Sequence, residues 1–362
     1  MYRELIYTES FRERRLFFEY LCTADEWKDG SMNHRSHSRR NWKMAIFVLV
    51  LTIGSCQSLR MGEHLVSDLT IDDGADSFSI LTANVGNVDP RCLPLVFKLC
   101  RNDVEARIAA SIQQLSPDVI ALQETLPTSN CTSLMALDTG NVCSNSSDIP
   151  QIRRLLGDAY TIVCESRNSY ECIAVHQDAG GIRGCGQGEL CLTDRIDEQP
   201  EGCRPNVAIM GATLEIKGRI FEIINAHPES RSAECRNASI IQIFTDVGNG
   251  AGLVRDEHAL IVGDLNMDPW RDDELSVQTW NTFVGASETH PYYYHSGMAE
   301  HDPQYFTLEY PTFSRTYDHV VSNFLEGTTL VLGESPGTYR LDGGSGMDHR
   351  AVYGILNFEP ES

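Results

Sequence analysis

The stretch Ala259–Pro269, ALIVGDLNMDP, joins an uninterrupted aliphatic run to a glycine and then to Asp264 and Asn266. A short apolar run closed by a turn signal reads as a buried strand, here Ala259–Gly263. Its polar end is one of a set. Asn84 ends the strand expected at Phe78–Ala83, Gln123-Glu124 closes Val119–Gln123, and Asn225-Ala226-His227 closes Ile220–Ala226. Tyr317-Asp318-His319 opens a strand at Asp318–Val321, and Asp348-His349 precedes one at Ala351–Phe358. A single strand-end carboxylate is ordinarily solvated or a cap. Six polar strand ends in one chain form a constellation, and oxygen ligands with histidines suit a hard divalent cation and phosphoester chemistry.

Helical segments lie between these strands. Val104, Ile108, Ile112 and Leu115 recur at helical spacing, with Asn102 and Glu105 placed like an N-terminal capping box. Pro117-Asp118 ends that helix. A short helix is expected at Ile149–Leu156, strands at Tyr160–Cys164 and Glu171–His176, and a helix at Ala238–Val247. Val207–Ile216 and Ile220–Ala226 read as a hairpin around Lys217-Gly218. Residues 177–203, rich in Gly and Cys, read as a stapled loop. Residues 285–315, with Tyr292, Tyr293, Tyr294, Tyr305 and Tyr310, read as a long irregular loop. No internal repeat or second linker is visible, so residues 78–362 are expected to form one domain.

Six motifs follow one another along this body: ILTANVGN, DVIALQET, INAHPES, GDLNMDP, TYDHVVS and MDHRAVYGIL. In this order they resemble the endonuclease/exonuclease/phosphatase family, which includes pancreatic deoxyribonuclease, abasic-site endonucleases, sphingomyelinases and inositol-polyphosphate phosphatases. GDLNMDP and the late Asp-His pair are the most specific, and the resemblance spans residues 78–358. It implies an α+β fold, a four-layer α/β sandwich of two packed mixed β-sheets flanked by helices.

Carried over residue by residue, the resemblance implies a site. Glu124 would be the principal ligand of Mg²⁺ (Mn²⁺ or Ca²⁺ being alternatives), helped by Asn84 and Asp348 directly or through water. Asp264 would orient or deprotonate the attacking water, and Asn266 would hold Asp264 and the phosphate. His227 and His349 would contact phosphate oxygens, one as general acid, and Asp318 would fix the tautomer of His349. Whether Asp264 or His349 activates water stays open. Arg167-Asn168-Ser169-Tyr170-Glu171 resembles the nuclease branch, making Glu171 the partner of His227; otherwise it is a surface glutamate. Arg204 is placed either on a substrate phosphate or in a structural ion pair. His319, next to Asp318 on a strand, points to the opposite face and reads as structural. His290, His295 and His301 offer a second metal site or are solvated loop histidines, and Asp268 and Trp270 read as loop packing. The residue types make independent sense: a phosphodiester transition state gathers negative charge, so a site supplies a cation, neutral or cationic donors and an anionic base.

Of the 362 residues, 41% are hydrophobic and 22% charged, a globular composition. The net charge of −22 argues against binding nucleic acid through a basic patch. The charge is uneven. Residues 1–55 hold 9 Lys or Arg and 7 Asp or Glu, leaving 20 against 44 in the remainder. Binding to a polyanion is therefore expected to depend on a divalent cation.

Arg39, Arg40 and Lys43 precede the apolar run Met44–Ile53, followed by Gly54-Ser55-Cys56. This is the form of an export signal, too short to span a bilayer comfortably. Its end resembles a bacterial lipoprotein processing box with Cys56 as the lipidated residue. Plain export and a buried core helix are the competing readings. Such a signal (residues 32–56) starting at Met32 or Met44 makes residues 1–31 an over-extended start, and residues 57–77 read as a tether.

Ten further cysteines lie between residues 92 and 235, and an even number in an exported domain suggests disulfides. Neighbour pairing gives 92–100, 131–143, 164–172, 185–191 and 203–235. Zinc is disfavoured because no CxxC pair occurs.

The expected activity is an exported, monomeric, metal-dependent phosphodiesterase, foremost a deoxyribonuclease-like endonuclease. A sphingomyelinase-like phospholipid diesterase is the alternative, and a non-catalytic surface protein on the same scaffold is the alternative of another class.

Overall fold

Strand alternation decides where this chain's core lies: successive side chains face opposite sides of a sheet, so apolar residues two apart share a face. A computed structural model describes residues 76–86, 98–131, 140–145, 149–204, 208–245, 252–285, 290–295, 305–310, 313–332 and 347–358, all within one compact unit, Asp73–Ser362. The export signal, Cys56, the tether as far as residue 75, Cys92 and His301 lie outside the described residues.

In chain order the first strands are β1 (Ser77–Asn84), β2 (Val119–Gln123), β3 (Tyr160–Glu165), β4 (Cys172–His176), β5 (Gly180–Ile182), β6 (Leu190–Thr193), β7 (Ile209–Ile216) and β8 (Arg219–Ala226). They continue as β9 (Ala259–Asp264), β10 (Val284–Gly285), β11 (Tyr292–Tyr294), β12 (Leu308–Tyr310), β13 (Phe313–Arg315), β14 (Asp318–Ser322), β15 (Leu325–Val331) and β16 (Val352–Phe358). The longer helices are α1 (Asn102–Leu115), α2 (Gln151–Leu156), α3 (Ala233–Phe244) and α4 (Leu275–Phe283).

Two seven-stranded sheets result, ordered β15-β16-β1-β2-β4-β3-β6 and β10-β11-β14-β9-β8-β7-β5. Both are mixed: β1 runs parallel to β2 and β8 parallel to β9, while β1–β16 and β9–β14 are antiparallel. Phe78, Ile80, Val119, Ala121 and Ile173 of one sheet meet Met210, Leu214, Phe221, Ile223, Leu260, Val262 and Val320 of the other in a single apolar cluster. The opposite face of the second sheet buries Ile224, Ile261 and Val321 against Ile240, Ile243, Val277 and Trp280 of α3 and α4. This is the expected sandwich of packed sheets flanked by helices.

Several expected boundaries move, each for a local reason. The helix expected at Ala238–Val247 begins at Ala233, because the Ser232 side chain accepts the Cys235 N–H (3.2 Å) and caps it. Asn102 and Glu105 form no capping box. Arg101 stands at the cap without a side-chain bond, and Glu105 instead binds Arg154 (2.6 Å) and Gln151 (2.8 Å) of α2. The stapled loop 177–203 contains β5 and β6, and the tyrosine-rich loop begins within β10 and contains β11 to β13. These strands are two to four residues long, too short to show a period.

Four disulfides join Cys131–Cys143, Cys164–Cys172, Cys185–Cys191 and Cys203–Cys235, each as neighbour pairing expects. Cys100 is also disulfide-bonded.

Candidate active site

The inward-facing positions turn from apolar to polar at one end of the sandwich. Two residues beyond Ala121 on β2 is Gln123, beyond Ile223 on β8 is Asn225, and beyond Val262 on β9 is Asp264. Asn84 ends the inward series of Phe78, Ile80 and Thr82, and Asp318 precedes Val320 by two. Alternation thus points all five toward the rim of the inter-sheet core.

Backbone exceptions bring the strand ends together. Gly263 has φ +124°, and a Cβ there would lie 2.2 Å from the Ala226 carbonyl oxygen. Only glycine lets β9 approach β8 so closely beside His227 and Asp264. Glu124 has φ +63°, a left-handed conformation costing roughly 1–2 kcal/mol for a residue with a Cβ. Its carbonyl accepts the Leu99 N–H (3.1 Å), and the next N–H, of Thr125, donates to the Tyr170 carbonyl (3.0 Å). Asn266, at φ +51°, donates its backbone N–H to Asp264 Oδ1 (2.8 Å) and its Nδ2 to the Pro228 carbonyl (3.0 Å).

Two histidine–carboxylate pairs flank Asp264. His349 Nδ1 lies 2.8 Å from Asp318 Oδ2, leaving its Nε2 at 3.6 Å from Asp264 Oδ2. His227 Nδ1 lies 2.8 Å from Glu171 Oε1, with its Nε2 at 3.7 Å from Glu124 Oε1 and 4.0 Å from Asp264 Oδ2. Asn84 Nδ2 donates to the same Asp264 oxygen (3.0 Å). All these groups are buried except Glu124, whose side chain is still only 12% exposed.

Charge assignments follow. Burial alone would lower both histidines. Against it, the charges of Asp318 and Asp264 and the Asp318 hydrogen bond hold His349 well above its ordinary 6.5. The Glu171 hydrogen bond and the Glu171, Glu124 and Asp264 charges likewise raise His227. Asp264 is driven the other way: burial would raise it, but His349, His227 and the Asn84 hydrogen bond hold it below its ordinary 3.8. The arrangement is an ionised carboxylate between two imidazolium donors, able to bind an anion through the donors and accept a proton at Asp264.

Glu124 and Asp348 behave differently. Burial pushes Glu124 up to about 7, with Asp348 adding to the rise. Burial also raises Asp348, whose Oδ1 is buried with no hydrogen-bond partner. The charge of Asp348 acts on Glu124, and this carboxylate pair, one member with an orphaned oxygen, fits a divalent cation. Asp264, Asp318 and His349 also lie close enough to hold an ion, with ligand atoms within 4.8 Å of one another. There, however, the imidazolium already supplies the positive charge. Of the described residues, the remaining cluster of this kind is Cys185, Glu189 and Cys191, whose cysteines form a disulfide.

Arg204 lies outside this cluster, 3.9 Å from Glu229 and half exposed, so its visible partner is the structural one. His319 faces away, as alternation requires, against Trp270 and Tyr294, and burial lowers it to about 4. Asp268 accepts the N–H groups of Trp270 (3.1 Å) and Thr316 (3.1 Å), pinning the loop after Asp264 to the entry of β14. His295 corrects an expectation. It is buried rather than solvated, and burial lowers it to about 4.

Two contributors, Thr307 and Lys98, escape the strand-end pattern, and two of its members, Gln123 and Asn225, bond to each other. Thr307 Oγ1 accepts the N–H groups of Tyr317 (2.9 Å) and Asp318 (3.0 Å). Gln123 donates to Asn225 Oδ1 (2.7 Å), and Asn225 to the Leu122 and Cys172 carbonyls, bridging the two sheets behind the site. Lys98 is buried with its ammonium 4.0 Å from the centre of the Tyr170 ring. A lysine inside the apolar run Leu95–Leu99 is the one sequence signal for it.

No curated protein matches this sequence. Among solved structures, a humanised TDP2 of D. rerio is similar at 14% identity over 78% of this chain and 99% of that chain, with TM-score 0.49. The human Nocturnin catalytic domain, solved with a bound sulfate anion, is 17% identical over 78% of this chain and 95% of its own, with TM-score 0.48. An endonuclease/exonuclease/phosphatase from Bacteroides vulgatus is 14% identical over 78% and 99%, with TM-score 0.48. The sequence profile of the Endonuclease/Exonuclease/phosphatase family matches residues 81–323, and the chain belongs to that family.

Proposed function

We propose that this protein is an exported, divalent-metal-dependent phosphodiesterase acting foremost on nucleic acid, in the manner of a deoxyribonuclease-like endonuclease. The observation that carries the reading is the Glu171–His227 pair at 2.8 Å, the pairing expected of the nuclease branch, set across Asp264 from the Asp318–His349 pair.

In this reading Glu124 and Asp348, with Asn84 nearby, hold a cation, foremost Mg²⁺ with Mn²⁺ or Ca²⁺ as alternatives. When bound, it would offset charge gathering on the phosphate oxygens. Asp264, held ionised, orients the attacking water and takes its proton. His227 and His349 face the phosphate with Nε2–H, and one returns a proton to the leaving oxygen. Asp318 and Glu171 fix the ring orientations through Nδ1. Asn266 steadies Asp264 from its backbone N–H. Export through residues 32–56 and anchoring through a lipidated Cys56 complete the reading and place the enzyme at a bacterial cell envelope.

Purified residues 57–362 are to be incubated with Mg²⁺ and plasmid DNA, RNA, sphingomyelin or a bis-aryl phosphodiester, beside Asp264→Ala and His349→Ala. Nicking of plasmid that both substitutions abolish is the expected result. Hydrolysis of sphingomyelin without DNA cleavage would replace the nuclease reading with the phospholipid one. Full activity in both variants would remove the site assignment. Labelling with a lipid precursor that persists in Cys56→Ala would remove the anchor.

A further inference from the structure

Lys98 sits where an ammonium is least expected, at 7% exposure. A compact, strongly hydrated charge is costly to bury unless opposite charge faces it. One side of the ammonium is covered by the Tyr170 ring at 4.0 Å from its centre, a cation–π arrangement. The backbone laces the neighbours together: the Leu99 N–H binds the Glu124 carbonyl (3.1 Å), and the Thr125 N–H binds the carbonyl of Tyr170 (3.0 Å), which precedes Glu171. The positive charge of Lys98 acts on both Glu124 and Glu171, favouring their ionised forms. Yet among the described residues no carboxylate oxygen lies within 4.0 Å of its nitrogen. The lysine is a nearby counter-charge rather than a closed salt bridge.

We propose that Lys98 is the resident counter-cation of the Glu124 carboxylate, so that a divalent ion and a phosphate group enter the site cooperatively. The inference rests on the reading of Glu124 as a cation ligand. Two cations near one carboxylate repel each other, so Lys98 weakens occupation of the bare site by a divalent ion. A phosphate brings negative charge to both cations and relieves the repulsion. By linkage, each ligand then raises the affinity of the other by the same factor. Lys98 is in this sense a positioning residue, acting through the cation and the phosphate. The fixed ring of Tyr170 keeps the ammonium from swinging out to solvent when the ion enters.

The test measures Mn²⁺ binding to the full chain by calorimetry, with and without inorganic phosphate, for wild type, Lys98→Met, Lys98→Gln, Lys98→Arg and Glu124→Gln. Without phosphate, Lys98→Met and Lys98→Gln are expected to bind Mn²⁺ about tenfold more tightly than wild type, and Lys98→Arg about equally. Phosphate is expected to tighten Mn²⁺ binding in wild type and Lys98→Arg, and far less in the two neutral variants. Neutral variants that bind Mn²⁺ no better than wild type would overturn the inference. So would the absence of any phosphate effect in wild type, a measurement that needs no variant to fold. If Glu124→Gln binds Mn²⁺ as well as wild type, the cation-ligand reading itself fails. If Glu124→Gln loses binding while the Lys98 variants are unmoved, only the counter-cation inference fails.

Discussion

Asp264 and Asp318 stand directly opposite each other in the antiparallel register of β9 and β14. Residues so paired present their side chains on the same face of the sheet. Two carboxylates side by side would repel, and His349 resolves the conflict by bridging them, Nδ1 at 2.8 Å from Asp318 and Nε2 at 3.6 Å from Asp264. The pairing makes the imidazolium part of the sheet's own electrostatics, and the site's behaviour follows from it.

Asp318→Asn removes the charge that orients His349 while keeping the shape. A neutral amide no longer holds the ring as an imidazolium through Nδ1, so the proton that Nε2 would return to the leaving oxygen is less available. The expected loss is about a thousandfold in kcat with KM changed only a few-fold, the pattern of an orienting carboxylate in an acid–base dyad. Steady-state kinetics on the best substrate checks this. A kcat within fivefold of wild type would remove Asp318 from the dyad.

Glu171→Gln tests the second pair. Glu171 is fully buried and its Oε1 meets His227 Nδ1 at 2.8 Å. Its effect is expected to be milder, about 10- to 100-fold in kcat, because Glu124 and Asp264 still favour the protonated ring. The His227 titration, followed by NMR, should move down in the variant. An unmoved titration would show that Glu171 does not set the charge of His227.

Metal-free protein is expected to lose stability as pH rises from about 5 to 8. Burial lifts Glu124 from 4.5 to about 7, so the fold favours its neutral form, and ionising it above that value costs about 3 kcal/mol. His349 adds to the trend. Its raised value gives a contribution fully present below 6.5 and lost as pH climbs through the folded value. Asp264, held below 3.8, contributes above that value and loses its contribution only in strong acid. Mg²⁺ should therefore raise the melting temperature more at pH 8 than at pH 5, by scanning calorimetry with and without chelator. An equal or larger gain at pH 5 would contradict this account of Glu124.

Cys164 and Cys172 are cross-strand partners of β3 and β4, and their disulfide closes the loop that carries Tyr170 and Glu171. Within that loop Glu165 accepts the N–H groups of Arg167 (2.6 Å), Asn168 (2.8 Å) and Tyr170 (3.1 Å), so the loop is already braced. Replacing both cysteines by serine is expected to cost about 2 kcal/mol, from the chain entropy of a short closed loop. It should lower kcat less than Glu171→Gln does. Urea denaturation and kinetics on the double variant decide it. A larger kcat loss than that of Glu171→Gln would mean that the disulfide itself positions the loop.

The long strands and the polar residues at their ends were legible in the sequence because each depends on local pattern. A short apolar run such as ALIV, closed by a glycine, reads as a buried strand, and a polar residue that continues its inward series marks the end of the apolar core. The short strands of the tyrosine-rich segment and the start of α3 were not legible. Strands of two or three residues carry no period, and the α3 boundary depends on a single serine cap. The burial of His295 follows from packing around it, which no spacing rule encodes.

The sequence by itself determined the family, the order of the motifs and the identities of the polar strand ends, while the disulfide partners, which neighbour pairing expected among many possible connectivities, were decided by the structure as Cys131–Cys143, Cys164–Cys172, Cys185–Cys191 and Cys203–Cys235. Tertiary structure decided the distances at which those ends meet and set the Asp264 carboxylate between the two histidine pairs. Asp264 and Asp318 are 54 residues apart and Glu171 and His227 are 56 apart; sheet register sets the first two opposite each other, and sandwich packing brings the second two within hydrogen-bonding reach. The protonation states follow from the same source, because burial and neighbouring charge, not residue type, make Asp264 an anion, His349 a cation and Glu124 a carboxyl poised near neutrality.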